Sequence, residues 1–397
     1  MKRFVVLALV LLSVVGAALT ATASTEGKLL IWADELRTTV VTDLAKEFTA
    51  KYKVPVEVQE LGFGDIRDQL AVAAPAGKGP DIIVGAHDWL GQLVTNGLIA
   101  PIDFAKQKDF SPVALNAFTW GKNLYGVPYA IESIGLFYNK NLVPNPPKTW
   151  DELLTIGRKI SDKANKKYGF VIPQPDPYHT FPMMSAAGGY VFGTNPDGTL
   201  NPLDVGLNNQ GAVRGLELLV QLIKEGIMPT GIDYPTMMSL FKEGRMGMIV
   251  TGPWAIAEIR EAKVNYGFTK IPMIDGKAPR PFVGVQGFMI SSFSKNKMLA
   301  KAFLNDYIAT EATMNALFNK DPRPTAHLAL AAKITDPDIV GTFESANAGI
   351  PMPAIPEMAS VWTAWSNALE LIFNGKMTPQ KALDEAVVQI IATIKGQ

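Results

Sequence analysis

The chain has 397 residues, with 37 basic residues balanced by 37 acidic ones and no cysteine. This length allows two domains of about 100 to 200 residues each, large enough to bury full cores without disulfides. The balanced charge gives no case for nucleic acid or an anionic membrane as a partner, because both recruit clustered positive charge. The lack of cysteine excludes thiol nucleophiles, and we expect no lipid anchor attached through cysteine.

The first 23 residues have the pattern of a secretory signal peptide. Lys2 and Arg3 precede the uncharged run Phe4 to Leu19, and Ala21-Thr22-Ala23 has the small-residue pattern of a signal peptidase site. The alternative is a membrane anchor, but the apolar run is short for a span of about 20 residues. We therefore expect cleavage after Ala23 and a free protein in the periplasm or elsewhere outside the cytoplasm.

The first half of the mature chain predicts alternating strands and helices. Strands are expected at 28–33, 54–61, 81–85, 127–131 and 134–139, and helices at 40–52, 65–74 and 88–97. Gly97 is the expected end of the third helix. Strands that alternate with helices in this way indicate βαβ units and a mostly parallel sheet.

The connector from Tyr138 to Glu152 contains the signals of a helix start. Prolines at positions 144, 146 and 147 fix φ and keep the preceding residues extended, so that no helix runs through them. Thr149 is the expected N-cap, with Glu152 reaching back to complete a capping box. A strand therefore ends here, and a capped helix begins.

The second half predicts mostly helices, with strands that return late in the chain. The expected helices are 150–163, 209–224 and 236–242, another helix begins at Gly252-Pro253-Trp254, and residues 297–395 are mostly helical. The expected strands are 246–250, 266–271 and 282–291. Strands early and late, with helices between them, predict a chain that crosses more than once between two α/β lobes.

The usual motifs of catalysis and metal binding are absent from the sequence. It contains no GxSxG elbow, no GxxxxGK[ST] loop, no HExxH and no complete GxGxxG. His87, His179 and His327 lie far apart without ligand spacing, so we expect no metal and no cofactor. Paired carboxylates for glycoside hydrolysis form only in the fold, so this class of enzyme stays open.

The sequence contains the two kinds of group that bind neutral sugars. Aromatic faces cover the apolar faces of pyranose rings, and carboxylates accept strong hydrogen bonds from hydroxyls. Seven tryptophans are present, and several lie near breaks in secondary structure. For any single tryptophan, a place in the core is the simpler interpretation.

Several phrases along the mature chain have the form and order of a known family. Besides the connector, the phrases are Glu26-Gly27-Lys28-Leu29, Gly79-Pro80-Asp81-Ile82-Ile83, Ala86-His87-Asp88, Gly252-Pro253-Trp254, Val264-Asn265-Tyr266-Gly267, Pro281-Phe282-Val283-Gly284-Val285 and Met352-Pro353-Ala354-Ile355-Pro356. Together they resemble the maltose-binding proteins of bacterial ABC importers over essentially the whole mature chain. This resemblance implies a two-lobed periplasmic binding protein fold, with the sugar between the lobes.

The resemblance also implies a division of the chain. After the signal peptide, 1–23, we expect an N-terminal lobe from 24–131 plus 286–333 and a C-terminal lobe from 132–285 plus 334–397. Crossings near 130–133, 284–286 and 333–337 would let the lobes open and close as rigid bodies.

Four ligand-binding residues are expected in or beside the first lobe. Asp88 corresponds to a carboxylate that bonds sugar hydroxyls, although alone it fits a helix N-cap equally well. Glu132 lies between two apolar strands, where a ligand role or a salt bridge is favoured over a plain core position. Arg37 corresponds to a cation that bridges hydroxyls, or it is a solvated surface arginine. Trp89 stands where the family has an arginine.

The second lobe is expected to contribute six more ligand-binding residues, implied by the same resemblance. Asp176, Pro177 and Tyr178 match an acidic residue, a proline and a stacking tyrosine, although the same residues fit an ordinary turn. Tyr234 is a weaker match. The two stacking tryptophans correspond to Trp254 and Trp362, with Trp365 one turn after Trp362; one of the two stacking positions could be purely structural.

The sequence departs from the best-known family member around the expected cleft. Gly85 replaces a tryptophan, Trp89 and Ser366 replace arginines, and Leu36 replaces an acidic residue beside Arg37. These departures reshape the walls of the cleft, so the class of ligand is better determined than its length or linkage.

The leading hypothesis is a non-enzymatic, monomeric binding protein. It would capture maltose, maltotriose or a short maltodextrin and deliver it to the permease subunits of an ABC transporter. The alternatives are a binding protein for another oligosaccharide (trehalose, a β-linked or a galactose-containing sugar), a secreted glycoside hydrolase, and a structural or adhesive envelope protein.

Overall fold

The computed structural model describes residues 26–103 and 105–396. The expected signal peptide lies outside the described residues. Within them, no helix is both long enough and apolar enough to span a bilayer. The strands are β1 (Leu29–Ala33), β2 (Val56–Glu60), β3 (Ile82–Ala86), β4 (Ile99–Ala100), β5 (Thr119–Trp120), β6 (Asn123–Leu124), β7 (Gly126–Glu132), β8 (Gly135–Asn139), β9 (Tyr168–Val171), β10 (Phe192–Thr194), β11 (Leu200–Val205), β12 (Met246–Thr251), β13 (Tyr266–Thr269), β14 (Phe282–Ser291) and β15 (Ile350–Pro351).

The helices occupy the connections between the strands and most of the last hundred residues. They are α1 (Thr38–Tyr52), α2 (Phe63–Ala73), α3 (Leu90–Thr95), α4 (Pro112–Ala117), α5 (Trp150–Ile160), α6 (Pro177–Ala186), α7 (Gln210–Lys224), α8 (Tyr234–Lys242), α9 (Ile256–Glu261), α10 (Lys297–Ala302), α11 (Glu311–Lys320), α12 (Leu328–Ala331), α13 (Pro337–Ala348), α14 (Ala359–Phe373) and α15 (Pro379–Ile394).

The first lobe is built on a seven-stranded sheet. Its main order is β15-β14-β3-β1-β2, and β4 and β7 also pair with β14. β1 is parallel to β2 and β3, as the βαβ pattern predicts, whereas β14 runs antiparallel to β3, β4 and β7. β1, β3 and β14 are buried along their whole length, which explains their continuous apolar sequences.

The second lobe is built on a separate four-stranded sheet in the order β13-β8-β12-β9. β12 pairs antiparallel with β8 and parallel with β9, and β13 pairs antiparallel with β8. β9 was not predicted, because four residues between two lysines and Ile172-Pro173 give too short a pattern to identify. With its two main sheets, the chain adopts the two-lobed α/β fold that the sequence predicts.

Long strands lie where the chain passes between the lobes. β14 pairs with β7 from Gly284, opposite Glu132, to Met289, opposite Gly126. Beyond Glu132 the chain enters β8, which belongs to the other sheet. The end of β7 is therefore the point at which one continuous segment leaves the first sheet and reaches the second.

Aromatic packing joins the start of β14 to the second lobe beneath its carboxy-terminal helices. The rings of Phe181 and Phe282 stack with centroids 3.8 Å apart, and Trp365 packs edge-on to Phe181 at 6.1 Å. Trp365 is fully buried, so it is a core residue. α14 and α15 pack against each other and against α7, which places the end of the chain on this lobe.

The helix start at the connector is confirmed, with one correction. The Thr149 side chain accepts a hydrogen bond from the Glu152 N–H at 3.3 Å, as an N-cap should. The Glu152 carboxylate accepts from the N–H of Lys148 at 2.6 Å, not from that of Thr149, so the expected capping box is displaced by one residue. α5 then ends at Ile160, before the predicted residue 163.

Other predicted bounds differ where short turns interrupt a helix. The region 88–97 is a 3₁₀ turn, His87–Trp89, followed by α3, and Gly97 follows with φ +65° as a helix-ending glycine should. The carboxy-terminal region is broken by a π-helical segment, Phe303–Ile308, and by β15. α6 was missed because it contains Pro182, which normally indicates a break.

We predict that Gly169→Ala destabilises the second lobe. A Cβ at this position in β9 would lie 2.3 Å from the Cα of Gly157 in α5, so strand and helix touch backbone to backbone. Overpacking of this kind costs about 1 to 3 kcal/mol. Urea unfolding measures the change. Gly64→Ala is the control, because no atom lies within 4 Å of its Cβ; equal stability of both variants would contradict the close approach.

Candidate functional site

A cleft of about 1000 Å³ is lined by residues of both lobes. Its first-lobe side follows the carboxyl ends of β1 and β3, where open α/β sheets commonly bind ligands. Its second-lobe side comes from α6, α8, α14 and the turn after β12. The structure brings all ten sequence-predicted residues to this cleft: Arg37, Asp88, Trp89, Glu132, Asp176, Pro177, Tyr178, Tyr234, Trp254 and Trp362.

A buried network of charges lies at the end of β7. Glu132 is 3% exposed and forms ion pairs with Arg323 and, at 3.5 Å, with Arg37. Arg37 also pairs with Asp34 and donates from Nε to the Tyr129 hydroxyl at 2.5 Å. The salt-bridge interpretation of Glu132 therefore holds. Arg37 is 4% exposed, so its interpretation as a solvated surface arginine is wrong.

The network keeps Glu132 ionised despite its burial. Desolvation raises the pKa of Glu132, but Arg323 and Arg37 more than offset it, and the net pKa is lowered. Gln286 adds a further hydrogen bond by donating from Nε2 to the carboxylate at 3.1 Å. Glu132 is thus a fixed negative group at the base of the cleft, held from three directions.

The burial of the Asp88 carboxylate is offset by its partners much less than that of Glu132. Asp88 is 7% exposed, and burial raises its pKa to about 6, an effect that Arg67 only partly opposes. It lies inside the 3₁₀ turn after β3, with Ala86 in the cap position and no side-chain cap bond, so its interpretation as an N-cap is wrong. The Trp362 side chain hydrogen-bonds this carboxylate, and a carboxylate that lines the cleft can also receive hydrogen bonds from a ligand.

The neighbouring His87 has a structural role. Its Nδ1 accepts a hydrogen bond from the Val285 N–H at 3.1 Å, which ties the turn after β3 to β14. Burial lowers the pKa of His87 to about 4, so the ring is neutral at physiological pH. Among the described residues no group of histidines and carboxylates could hold a metal ion.

Aromatic side chains form the second-lobe wall. The Tyr178 and Trp254 rings lie 6.1 Å apart, and both side chains are half-buried. The Trp362 ring lies nearly parallel to that of Trp365, with centroids 6.4 Å apart. Because Trp365 is buried in the core, only Trp362 of this pair presents a ring to the cleft. The rings of Tyr178, Trp254 and Trp362 are therefore available for stacking.

Asp176 begins α6 and orients a histidine. Its side chain accepts from the His179 N–H at 3.0 Å and contacts the His179 ring at Nδ1, 2.8 Å away. Burial raises the Asp176 pKa, but His179 and the N–H groups outweigh it, so the net pKa is lowered. Pro177 occupies the first helical position, which suits its fixed φ. The ordinary-turn interpretation is therefore wrong: these residues start a helix.

Tyr234 begins α8 on the same side of the cleft. Its hydroxyl lies 3.4 Å from Oγ1 of Thr251, and burial raises the pKa of Tyr234 to about 12. Lys242, at the end of this helix, pairs with Glu258, and both residues line the cleft.

Gly85 and Trp89 form one structural unit. A Cβ on Gly85 would lie 2.1 Å from the Trp89 ring, so the indole occupies the space that a side chain at position 85 would need. Trp89 is 3% exposed and packs on Phe63 with ring centroids 4.8 Å apart. Trp89 therefore shapes the wall, with little of its ring open to a ligand. Ser366 donates to the carbonyl of Pro175 at 3.2 Å and closes part of the opposite wall.

Several residues of the cleft were missed by sequence reasoning. Gln286 had a usable signal, since it is a polar residue inside the apolar strand β14, just as Glu132 is in β7. The others lie on helices and turns with no distinguishing pattern, and only the fold brings them together. They include Glu35, Phe63, Arg67, His179, Lys242, Glu258 and Asn367.

The fold and the cleft together define a two-lobed solute-binding protein. The chain belongs to the family described as bacterial extracellular solute-binding protein, whose model matches residues 43–340.

Similar proteins bind oligosaccharides according to their names. A galactooligosaccharide-binding protein of Bacillus subtilis is 34% identical, over 95% of this chain and 91% of that protein. A maltotriose-binding protein of Pyrococcus abyssi is 32% identical, over 91% and 80% of the respective chains. The maltodextrin-binding protein MdxE of Bacillus subtilis is 30% identical, over 99% and 98%.

We predict that Asp88→Asn stabilises the ligand-free protein at pH 7. The folded pKa of about 6 is above the ordinary 3.8, so the contribution of Asp88 to stability is complete below about pH 4, is lost as the pH rises to 6, and stays lost above it. The gain at pH 7 should be about 3 kcal/mol. Urea unfolding at pH 7 and pH 4 measures it; an equal difference between variant and wild type at both pH values would contradict the shift.

We predict that Arg323→Met strongly destabilises the protein, because it removes one of the two cations paired with Glu132. Loss of one partner from a buried ion pair costs about 3 to 5 kcal/mol. The control is Arg158→Met, which breaks an exposed pair with Glu225 and should cost less than about 1 kcal/mol. Thermal and urea unfolding compare the two; similar losses would show that the Glu132 network contributes no more than a surface pair.

Proposed function

We propose that this protein captures a short neutral oligosaccharide, with maltose, maltotriose and short maltodextrins as the leading ligands. The observation that carries this proposal is the cleft itself, where half-buried aromatic rings from one lobe face buried carboxylates from the other. Rings cover the apolar faces of sugars, and carboxylates accept from their hydroxyls. The proposed contacts are the ten residues that sequence reasoning selected.

The charge of the cleft supports an uncharged ligand. Six carboxylate residues line it, namely Asp34, Glu35, Asp88, Glu132, Asp176 and Glu258, against three cationic residues, namely Arg37, Arg67 and Lys242. An anionic sugar would meet this excess of negative charge. The volume of about 1000 Å³ lies at the upper end of the range for sites that hold drug-sized ligands, which supports an oligosaccharide over a single sugar.

The proposed mechanism is closure of the two lobes on the sugar. The proposed division assigns 24–131 plus 286–333 to the first lobe and 132–285 plus 334–397 to the second. Residues from both lobes touch the same ligand only when the cleft is closed, so the sugar selects the closed form. The monomeric, extracytoplasmic protein would then be recognised in this form by the permease subunits of an ABC transporter.

A galactose-containing oligosaccharide is the second candidate. It is supported by the 34% identical galactooligosaccharide-binding protein. The wall formed by Gly85 and Trp89, and the serine at position 366, also differ from the pattern expected for maltose. These features alter the shape of the cleft and leave its polar and aromatic groups in place.

We predict that the protein binds either maltodextrins or galactooligosaccharides without consuming them. Isothermal titration with maltose, maltotriose, trehalose, β-1,4-galactobiose and glucose measures binding, and intrinsic tryptophan fluorescence reports stacking on Trp254 and Trp362. Trp254→Ala should weaken binding by about tenfold, since an aromatic contact adds about 0.5 to 1.5 kcal/mol beyond its buried area. Trp120→Ala is the control, because Trp120 is half-buried outside the cleft.

The alternative classes give different results in the same experiments. A glycoside hydrolase would release shorter sugars, which product analysis after incubation detects. A structural or adhesive protein would bind no glycan, and Trp254→Ala and Glu132→Ala would leave its interactions unchanged. Absence of heat and of a thermal shift with every glycan would refute the proposal.

A further inference from the structure

Two side chains of the cleft that sequence reasoning did not select each carry an unpaired polar atom. Oε1 of Gln286 and Nε2 of His179 have no hydrogen-bond partner among the described residues. Both residues line the cleft, and both are buried: Gln286 and His179 are each 5% exposed. Buried polar atoms without partners are uncommon, and each one destabilises the folded protein. Their place in the cleft points to a ligand as the missing partner.

The orientation of the Gln286 amide is fixed by its neighbour. Nε2 donates to Oε2 of Glu132 at 3.1 Å, and an ionised carboxylate can only accept, so the nitrogen must face it. Glu132 is itself held by Arg37 and Arg323. A register shift in the pairing of β14 with β7, between Gln286 and Gly287, lies where a bulge can re-aim a side chain. Oε1 is therefore left as an oriented acceptor.

His179 repeats this arrangement on the other lobe. The Asp176 carboxylate contacts Nδ1 at 2.8 Å and favours the tautomer with its proton there, in which Nε2 is an acceptor. The ring lies among aromatic neighbours, 6.0 Å from Trp254 and 6.3 Å from Tyr234. In both cases a carboxylate turns the donor of a side chain toward itself and leaves the acceptor free.

We propose that Oε1 of Gln286 and Nε2 of His179 each accept a hydrogen bond from a hydroxyl group of the bound oligosaccharide, one from each lobe. This inference rests on the proposed function and names two further specificity-determining residues for it. An oriented acceptor in a buried site discriminates strongly against a ligand that lacks the matching hydroxyl, because the acceptor is then left unpaired. The two contacts therefore make affinity depend on the positions of the ligand's hydroxyl groups. The aromatic wall, by contrast, accepts any sugar ring of suitable shape.

The test replaces each acceptor by an apolar side chain of similar size. Gln286→Met and His179→Phe should each weaken binding of the glycan that the wild type prefers by roughly tenfold. Gln92→Met and His327→Phe are matched controls, because Gln92 Oε1 and His327 Nδ1 are also unpaired and neither residue lines the cleft. Isothermal titration should find the controls within about twofold of wild type.

Monodeoxy analogues of the same glycan test the chemistry of the contact. The wild type should bind one analogue weakly because a hydroxyl donor is missing, and Gln286→Met or His179→Phe should no longer distinguish that analogue from the parent sugar. A ¹⁵N spectrum of wild-type protein provides a measurement that requires no stable variant. The His179 Nε2 resonance should shift on addition of the sugar, whereas that of His327 should not.

The outcomes distinguish a failure of the proposed function from a failure of this further inference. If the wild type binds no glycan, the proposed function fails and this inference fails with it. If the wild type binds but the cleft variants match it, or the control variants lose as much affinity, the function stands and the inference is overturned. An unchanged His179 Nε2 resonance with sugar bound would overturn it for that residue even if the variants do not fold.

Discussion

The buried ion network around Glu132 is the interaction on which the rest of the structure depends. Glu132 ends β7 at the point where the chain leaves the first sheet, and it pairs with Arg323 and Arg37 out of contact with water. Isolated charges are too costly to bury, so each member holds the others in place. The network thereby fixes the base of the cleft, the end of β7 and the orientation of Gln286 together.

The carboxylates of the cleft differ in how far their partners offset the cost of burying a charge. The pKa of Glu132 is lowered because Arg323 and Arg37 outweigh its burial, and that of Asp176 is lowered because its contacts with His179 and with N–H groups outweigh its burial. Asp88 has a raised pKa of about 6 because burial dominates. The compensated carboxylates position other side chains, whereas the burial of Asp88 is only partly offset by Arg67 and by the hydrogen bond from Trp362. Burial of the Asp88 carboxylate therefore lowers the stability of the ligand-free protein at a site where a bound ligand would raise it.

Family membership and ligand identity rest on different parts of the molecule. Membership follows from sequence matched over most of the chain and agrees with the two main sheets that it forms. Ligand identity depends on a few side chains at the walls, where Gly85 leaves room for the Trp89 indole and Ser366 bonds the Pro175 carbonyl. Relatives at 30% to 34% identity carry names for different oligosaccharides, which fits a shared scaffold with variable walls.

The sequence by itself determined the elements with strong periodicity and the residues that a family phrase marks. The strand 282–291 and the N-cap Thr149 were predicted correctly, because continuous apolar runs and capping signals are local. The β9 strand, the α6 helix, the Arg323 partner of Glu132, and the acceptors of Gln286 and His179 were decided only by the tertiary structure. Their positions depend on contacts between residues distant in sequence, such as Glu132 and Arg323, which no local pattern records.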